Sequence, residues 1–62
     1  MDLSKKKDIA EKVQESCIQA ARDGFTDASM RGLCDEGAME AAIGAIQSLN
    51  LEEIISQAKE TQ

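Results

Sequence analysis

The stretch LCDEGAMEAAIGAIQS, residues 33–48, decides the fold. Small or apolar residues occupy nearly every position of a helical wheel drawn for it. Only three residues face water on that wheel: Glu36, Glu40 and Gln47. Gly37 and Gly44 each cost a helix about 1 kcal/mol relative to alanine, so their presence indicates that another backbone packs close against them. We expect this stretch to form the central helix of the domain.

The wheel of this helix has two different sides. One side is bulky and consists of Met39, Ile43 and Ile46. The other side has almost no side chains and consists of Gly37, Ala41, Gly44 and Ser48. A small monomer covers one side of a helix more easily than two, and an uncovered apolar side marks an interaction surface. We therefore expect the small-residue side to contact a helix of the same chain, and the bulky side to enter an interface with another chain.

An amphipathic helix is predicted upstream of this stretch. Apolar residues recur at steps of three and four between Ser4, which can serve as N-cap, and Asp23. Gly24 is predicted to end the helix, with Phe25 folding back onto its last turn. Residues 24–32 then form a loop or a short helical turn. Ile18 lies at the edge of the apolar face and needs a second neighbour.

The clearest helix start lies downstream, at Asn50. Glu53 completes a capping box with Asn50, and the apolar residues after it keep to one helix face up to a polar tail at residues 60–62. The patterns together predict an all-α fold, a small three-helix domain that spans residues 1–62 as a single helical domain. A homodimeric helical bundle is left open as its assembled form.

Composition excludes several classes of enzyme. The chain has no histidine, which removes the usual general base and most zinc sites. Cys17 and Cys34 are too few for a secreted disulfide scaffold, and we expect two thiols, Cys17 in the core and Cys34 partly buried. The glycine spacings match no phosphate-binding loop, and the acids do not have EF-hand spacing. We expect no catalytic residue, no cofactor and no metal.

Charge and length narrow the range of partners. Twelve acids stand against seven bases, and the lysine run 5–7 has no Tyr or Trp nearby to stack on bases, so we expect no nucleic-acid binding. No apolar stretch approaches the ~20 residues of a membrane span, so we expect no membrane partner and a cytoplasmic protein. A chain of 62 residues supports only a small core, which favours a partner or a dimer.

Residues 27–46 resemble a family of short, uncharacterised bacterial all-helical proteins, some of which carry the label acetyltransferase. The similarity covers most of the chain. Acetyltransferases that bind acetyl-CoA use a larger mixed fold and a Gln or Arg three positions before a glycine, followed two positions later by Gly or Ala. In this chain Ala41 stands where the Gln or Arg is required before Gly44. We therefore expect no acetyl transfer.

A weaker likeness connects the chain to ubiquitin-associated and related three-helix domains, including the N-terminal module of elongation factor Ts. Gly24 and Phe25 resemble the loop after their first helix, and residues 39–43 resemble their last helix. The resemblance implies that Phe25 and the bulky side of that helix form a binding surface.

The sequence thus predicts a non-catalytic helical protein that acts through self-association or through binding another protein. A ubiquitin-associated-like binding module, or an accessory protein that carries the acetyltransferase label, is the alternative. The residues predicted to bind a homodimer partner or another protein are Ile18, Met39, Ile43, Ile46, Leu51 and Ile55, with Phe25 added by the resemblance.

Overall fold

The computed structural model describes residues 3–60, with the side chains of residues 4–58. It contains three α-helices: α1 (Leu3–Met30), α2 (Asp35–Gln47) and α3 (Leu51–Glu60). No strand occurs between residues 3 and 60. The prediction of an all-α, three-helix domain is confirmed. Thr61 and Gln62 of the predicted polar tail lie outside the described residues.

The first helix is longer than predicted. It begins at Leu3, so Ser4 lies in its first turn and is not the N-cap. It continues through Gly24 and Phe25 to Met30, so the predicted stop at Gly24 and the loop over residues 24–32 are wrong. Phe25 therefore does not fold back over a helix end. The helix continues because its last two turns pack against α2, where Ala28 is buried.

The residue that ends α1 is Gly32, which has φ +93°. This left-handed conformation costs little at glycine because no Cβ is present. The Gly32 N–H donates to the Ser29 carbonyl at 3.0 Å, and the Leu33 N–H donates to the Ala28 carbonyl at 3.0 Å. This pair of bonds is the Schellman motif, and it turns the chain back toward α2.

The two shorter helices have different start signals. Asp35 and Glu36 in the first turn of α2 complement the positive end of its dipole, while the Cys34 N-cap makes no side-chain hydrogen bond. Cys34 is exposed, contrary to the expected partial burial. The start of α3 is as predicted, since the Glu53 N–H donates to Asn50 Oδ1 at 3.1 Å.

The central helix is α1, and the prediction that residues 33–48 hold that place is wrong. Both α2 and α3 pack on α1, whereas α2 and α3 do not contact each other within the described range. The connection between α2 and α3 has only three residues, so a reversal of direction there would place α3 beside α2 and in contact with it. Because the two helices do not contact each other, α3 continues in the direction of α2, and both run antiparallel to α1.

The resulting shape is a long, thin hairpin. Its Cα atoms extend over 45 × 16 × 14 Å, and along this length α1 packs first against α3 and then against α2. Its radius of gyration is 14.1 Å, against roughly 11 Å for a compact globule of this length. One layer of two helices leaves both broad faces of the hairpin without a covering helix.

Gly24 sets the distance between α1 and α2. A Cβ added there would lie 3.0 Å from the Ala41 carbonyl oxygen, 3.0 Å from Ala45 Cβ and 3.1 Å from Ala42 Cα. A Cβ added at Gly44 would have no atom within 4 Å, so the expectation that Gly44 packs against a helix of this chain is wrong. The two helices therefore approach each other most closely where Gly24 of α1 packs against Ala41, Ala42 and Ala45 of α2.

Candidate functional site

The side chains that this chain buries are small. Its buried residues are Ala28, Ala38, Ala42, Ile54 and Ala58. Ile54 is the one bulky side chain among them. Burial stabilises in proportion to apolar area removed from water, so alanine contacts contribute little per residue. Within the described part of the chain, most of the isoleucine, leucine and methionine side chains keep substantial contact with water.

The residues predicted to bind a partner lie on all three helices. Ile18, Met39, Ile43 and Leu51 are between 48% and 55% exposed. Phe25, Ile46 and Ile55 are half-buried. We call these seven residues the apolar face, and helix geometry brings those of α1 and α2 to one side of the hairpin.

On α1 and α2 this follows from angular position and helix direction. At about 100° per residue, Phe25 and Ile18 lie roughly 80 to 120° clockwise from the contact line with α2, viewed from the start of α1. On α2, Ile46, Met39 and Ile43 lie about 60 to 120° clockwise from the line through Ala38 and Ala42, viewed from the start of α2. Because the two helices run antiparallel, these two clockwise directions lead to the same side of the pair.

The third helix adds apolar side chains of its own. Ile54 and Ala58 are buried and mark the direction from α3 to α1. Leu51 and Ile55 lie about 40 to 80° clockwise from that direction, viewed from the start of α3. Leu51 is 50% exposed and Ile55 is half-buried, so α3 also presents apolar surface to water.

The opposite side of α2 has a different surface. Its small-residue side carries Gly37, Ala41, Gly44 and Ser48. Of these, Ala41 receives Gly24 through its carbonyl oxygen, and Gly37 lies against the Leu33 side chain. Ser48 is exposed, and its hydroxyl donates to the Gly44 carbonyl at 2.9 Å. This side carries no bulky apolar side chain, and its Ala41 lies against α1 at Gly24.

Two exposed apolar residues were not among the predicted partner-binding residues. Met30 is 82% exposed and Leu33 is 47% exposed, both beside the turn that Gly32 makes. Met30 falls in the predicted loop 24–32, but in the structure it is the last residue of α1. Recognition of Gly32 as the helix-ending glycine would have placed both residues at the tip of a hairpin.

The surface area of the molecule measures how much remains uncovered. The chain of 6.7 kDa has an accessible surface of 4811 Å². A folded monomer of this mass exposes about 3,900 Å², so the excess is about 900 Å². Each partner in a specific protein interface of standard size contributes about 800 Å². The excess follows from the elongated shape of the chain, and it is similar in size to one partner's share of a standard interface.

Other kinds of site were sought in the described residues. No described helix has the length and apolarity that crossing a membrane requires. Residues 3–60 contain no group of three or more acidic or cysteine side chains placed to hold a metal ion. Both cysteines are free. Gly24 and Phe25, which the likeness to ubiquitin-associated domains places in a loop, lie inside α1.

Comparison with protein-family models, with curated proteins and with solved structures finds no match for this chain. The candidate site is therefore identified from the exposure and packing of the residues alone. Among the described surfaces, the apolar face combines bulky side chains with partial exposure on all three helices. It is the candidate functional site.

Proposed function

We propose that this protein is a non-catalytic helical protein that acts by self-association, with a second copy of the chain covering the apolar face. The observation that carries the proposal is that small alanine side chains are buried while larger apolar side chains are not. Ile18, Met39, Ile43 and Leu51 are about half exposed. Two hairpins packed face to face form a bundle with four helices in cross-section, which buries these side chains between the layers.

A second copy fits the dimensions of the surface. The accessible surface of the whole molecule exceeds that of a compact monomer by about as much as one partner contributes to a stable interface, which supports a second copy as the occupant. A homodimer uses the same patch on both copies, so no other surface needs to be found. The cytoplasm is the compartment that we infer, since both cysteines are free thiols.

Sedimentation equilibrium over a hundredfold dilution series, with helicity followed by circular dichroism, tests the proposal. We expect a mass of two chains that falls toward one chain only on dilution. Ile43→Glu places a charge in the interface, and we expect it to weaken association at least about a hundredfold. Thr26→Glu adds the same charge at a similar height on the outward side of α1, and serves as the matched control.

Three results contradict the proposal. One is a helical protein that sediments as a single chain at every concentration. Another is a dimer in which Ile43→Glu leaves the association constant unchanged, because the interface then lies on a different surface. A dimer weakened equally by Thr26→Glu and Ile43→Glu would also contradict it, since the apolar face would have no special role.

A further inference from the structure

We propose that α3 and the first half of α1 open and close as one unit, while α2 and the second half of α1 stay packed. We call residues 4–16 together with α3 the α1–α3 unit, and residues 17–30 together with α2 the α1–α2 unit. The inference goes beyond the proposed self-association, because it concerns packing within a single chain.

The two halves of α1 have different covering helices. In the second half, Gly24 lies against three alanines of α2. Because α3 continues beyond α2 in the same direction and packs on α1, it covers the first half. Ile9 and Val13 are half-buried there, whereas the residues next to each of them are exposed. Within the described chain, the shielding of these two side chains therefore depends on α3.

The contact between α1 and α3 buries few side chains. Ile54 and Ala58 are the buried residues of α3, and no side chain between residues 4 and 16 is fully buried. The α1–α2 unit buries alanines from both of its helices and adds the close backbone approach at Gly24. The contact between α1 and α3 therefore depends chiefly on one isoleucine.

The third helix is too short to persist without α1. It has ten residues, and isolated helices shorter than about 12 to 15 residues are marginal in water. Its start has good local signals, the Asn50 cap and the acidic Glu52 and Glu53, but these act on the first turn only. Separation from α1 therefore removes the packing that stabilises α3.

The first half of α1 depends on the same contact. Its first turn contains no acid, and Lys5, Lys6 and Lys7 lie near the positive end of the helix dipole, which they oppose. Without α3, this half is a single helix surrounded by water. Both parts of the α1–α3 unit therefore lose their packing in one event.

The connection between α2 and α3 permits this opening. The second helix ends on its own backbone, since the Ser48 N–H and hydroxyl donate to the Gly44 carbonyl at 3.0 and 2.9 Å. The third helix begins with its own bond, from the Ile54 N–H to the Asn50 carbonyl at 3.2 Å. Rotation of the backbone between Ser48 and Asn50 leaves these bonds intact, so α3 can separate without disturbing the end of α2.

Opening uncovers a second apolar surface. Ile9 and Val13 lose the cover of α3, and the side chains of Ile54 and Ala58 come into contact with water. None of these four residues belongs to the apolar face. The open form therefore offers an apolar surface that the closed molecule shields.

Native-state amide hydrogen exchange, followed by NMR, tests the proposal. We expect the amides of residues 7–16 and 54–58 to share one level of protection, at least about tenfold below that of residues 24–28 and 39–45. The same measurement on the Ile43→Glu variant removes any protection that a second copy contributes.

A substitution at Ile54 tests which contact controls the opening. Ile54→Val removes one methyl group from the buried side of α3, and we expect protection at residues 7–16 and 54–58 to fall about two- to tenfold. Residues 39–45 should keep theirs. Ser56→Ala changes the exposed, opposite side of the same helix and serves as the matched control, which should lower protection in neither unit.

Three results overturn the inference. Equal protection in the two units shows that the molecule opens as a whole. An Ile54→Val variant that lowers protection at residues 39–45 as much as at residues 54–58 shows the same. Fast exchange at residues 54–58 with full protection at residues 7–16 shows that α3 separates without the first half of α1.

Discussion

Replacing Gly24 with alanine tests the contact that holds α1 and α2 together. The new Cβ would lie 3.0 to 3.1 Å from the Ala41 oxygen, Ala45 Cβ and Ala42 Cα. Carbon atoms in favourable contact are about 3.5 to 4.0 Å apart, so the helices have to separate by roughly half an ångström. Two of the three opposing atoms belong to the α2 backbone, which cannot move aside as a flexible side chain does.

Two opposing free energies determine the size of the effect. Alanine stabilises a helix by about 1 kcal/mol relative to glycine. Overpacking a close contact costs about 1 to 3 kcal/mol. We therefore expect Gly24→Ala to lower the free energy of unfolding by about 1 kcal/mol.

Gly44→Ala is the matched control. It makes the same chemical change in the same helical hairpin, but its Cβ meets no atom within 4 Å. The propensity gain then acts alone, and we expect stabilisation by about 1 kcal/mol. In a domain of this size each kcal/mol shifts Tm by about 4 to 8 °C, so the two variants should move Tm in opposite directions.

Thermal unfolding followed by far-ultraviolet circular dichroism measures both shifts. All variants need one fixed protomer concentration, because the Tm of an associating protein depends on concentration. If Gly24→Ala raises Tm as much as Gly44→Ala does, then Gly24 is not in close contact with α2, and the account of helix packing is wrong.

Three further substitutions test the helix ends and the surface. Asn50→Ala removes the acceptor of the Glu53 N–H bond and should cost about 0.5 to 2 kcal/mol, whereas Asn50→Asp should be nearly neutral; equal losses in urea unfolding would contradict the cap. Gly32→Ala forces a Cβ into a left-handed conformation and should cost about 1 to 2 kcal/mol, so an unchanged Tm would refute the turn geometry. Asp27→Ala breaks the exposed 3.2 Å ion pair with Arg31 and should change stability by no more than about 0.5 kcal/mol; a larger loss in the same assay would show that the pair is structural.

The number and type of elements could be predicted from local patterns. The spacing of apolar residues every three or four positions and the Asn50 capping box act within a few residues, so the sequence shows them directly. The helix end at Gly24 could not be judged in this way. Gly24 and Gly32 both follow an apolar pattern, and glycine suits a left-handed turn as well as a close helix contact.

The partner-binding residues illustrate the same division. Angular spacing within α2 is enough to group Met39, Ile43 and Ile46 on one side. It does not show whether Ile18 and Leu51 lie on the same side of the molecule, because that depends on the direction and rotation of three helices. Binding of a partner by these residues stays a prediction, to be decided by sedimentation of the Ile43→Glu and Thr26→Glu variants.

The sequence by itself determined that this chain forms three helices, that Asn50 caps the start of the third, and that bulky apolar side chains fall on one edge of the second. Only the tertiary structure decided that α1 is the central helix, that Gly24 and not Gly44 makes the close approach, and that Ile18, Met39, Ile43 and Leu51 stay about half exposed. The physical reason is the distance along the chain over which each interaction acts. Caps and periodicity depend on neighbours within one or two turns, whereas the use of a glycine or an isoleucine depends on which helix lies opposite it.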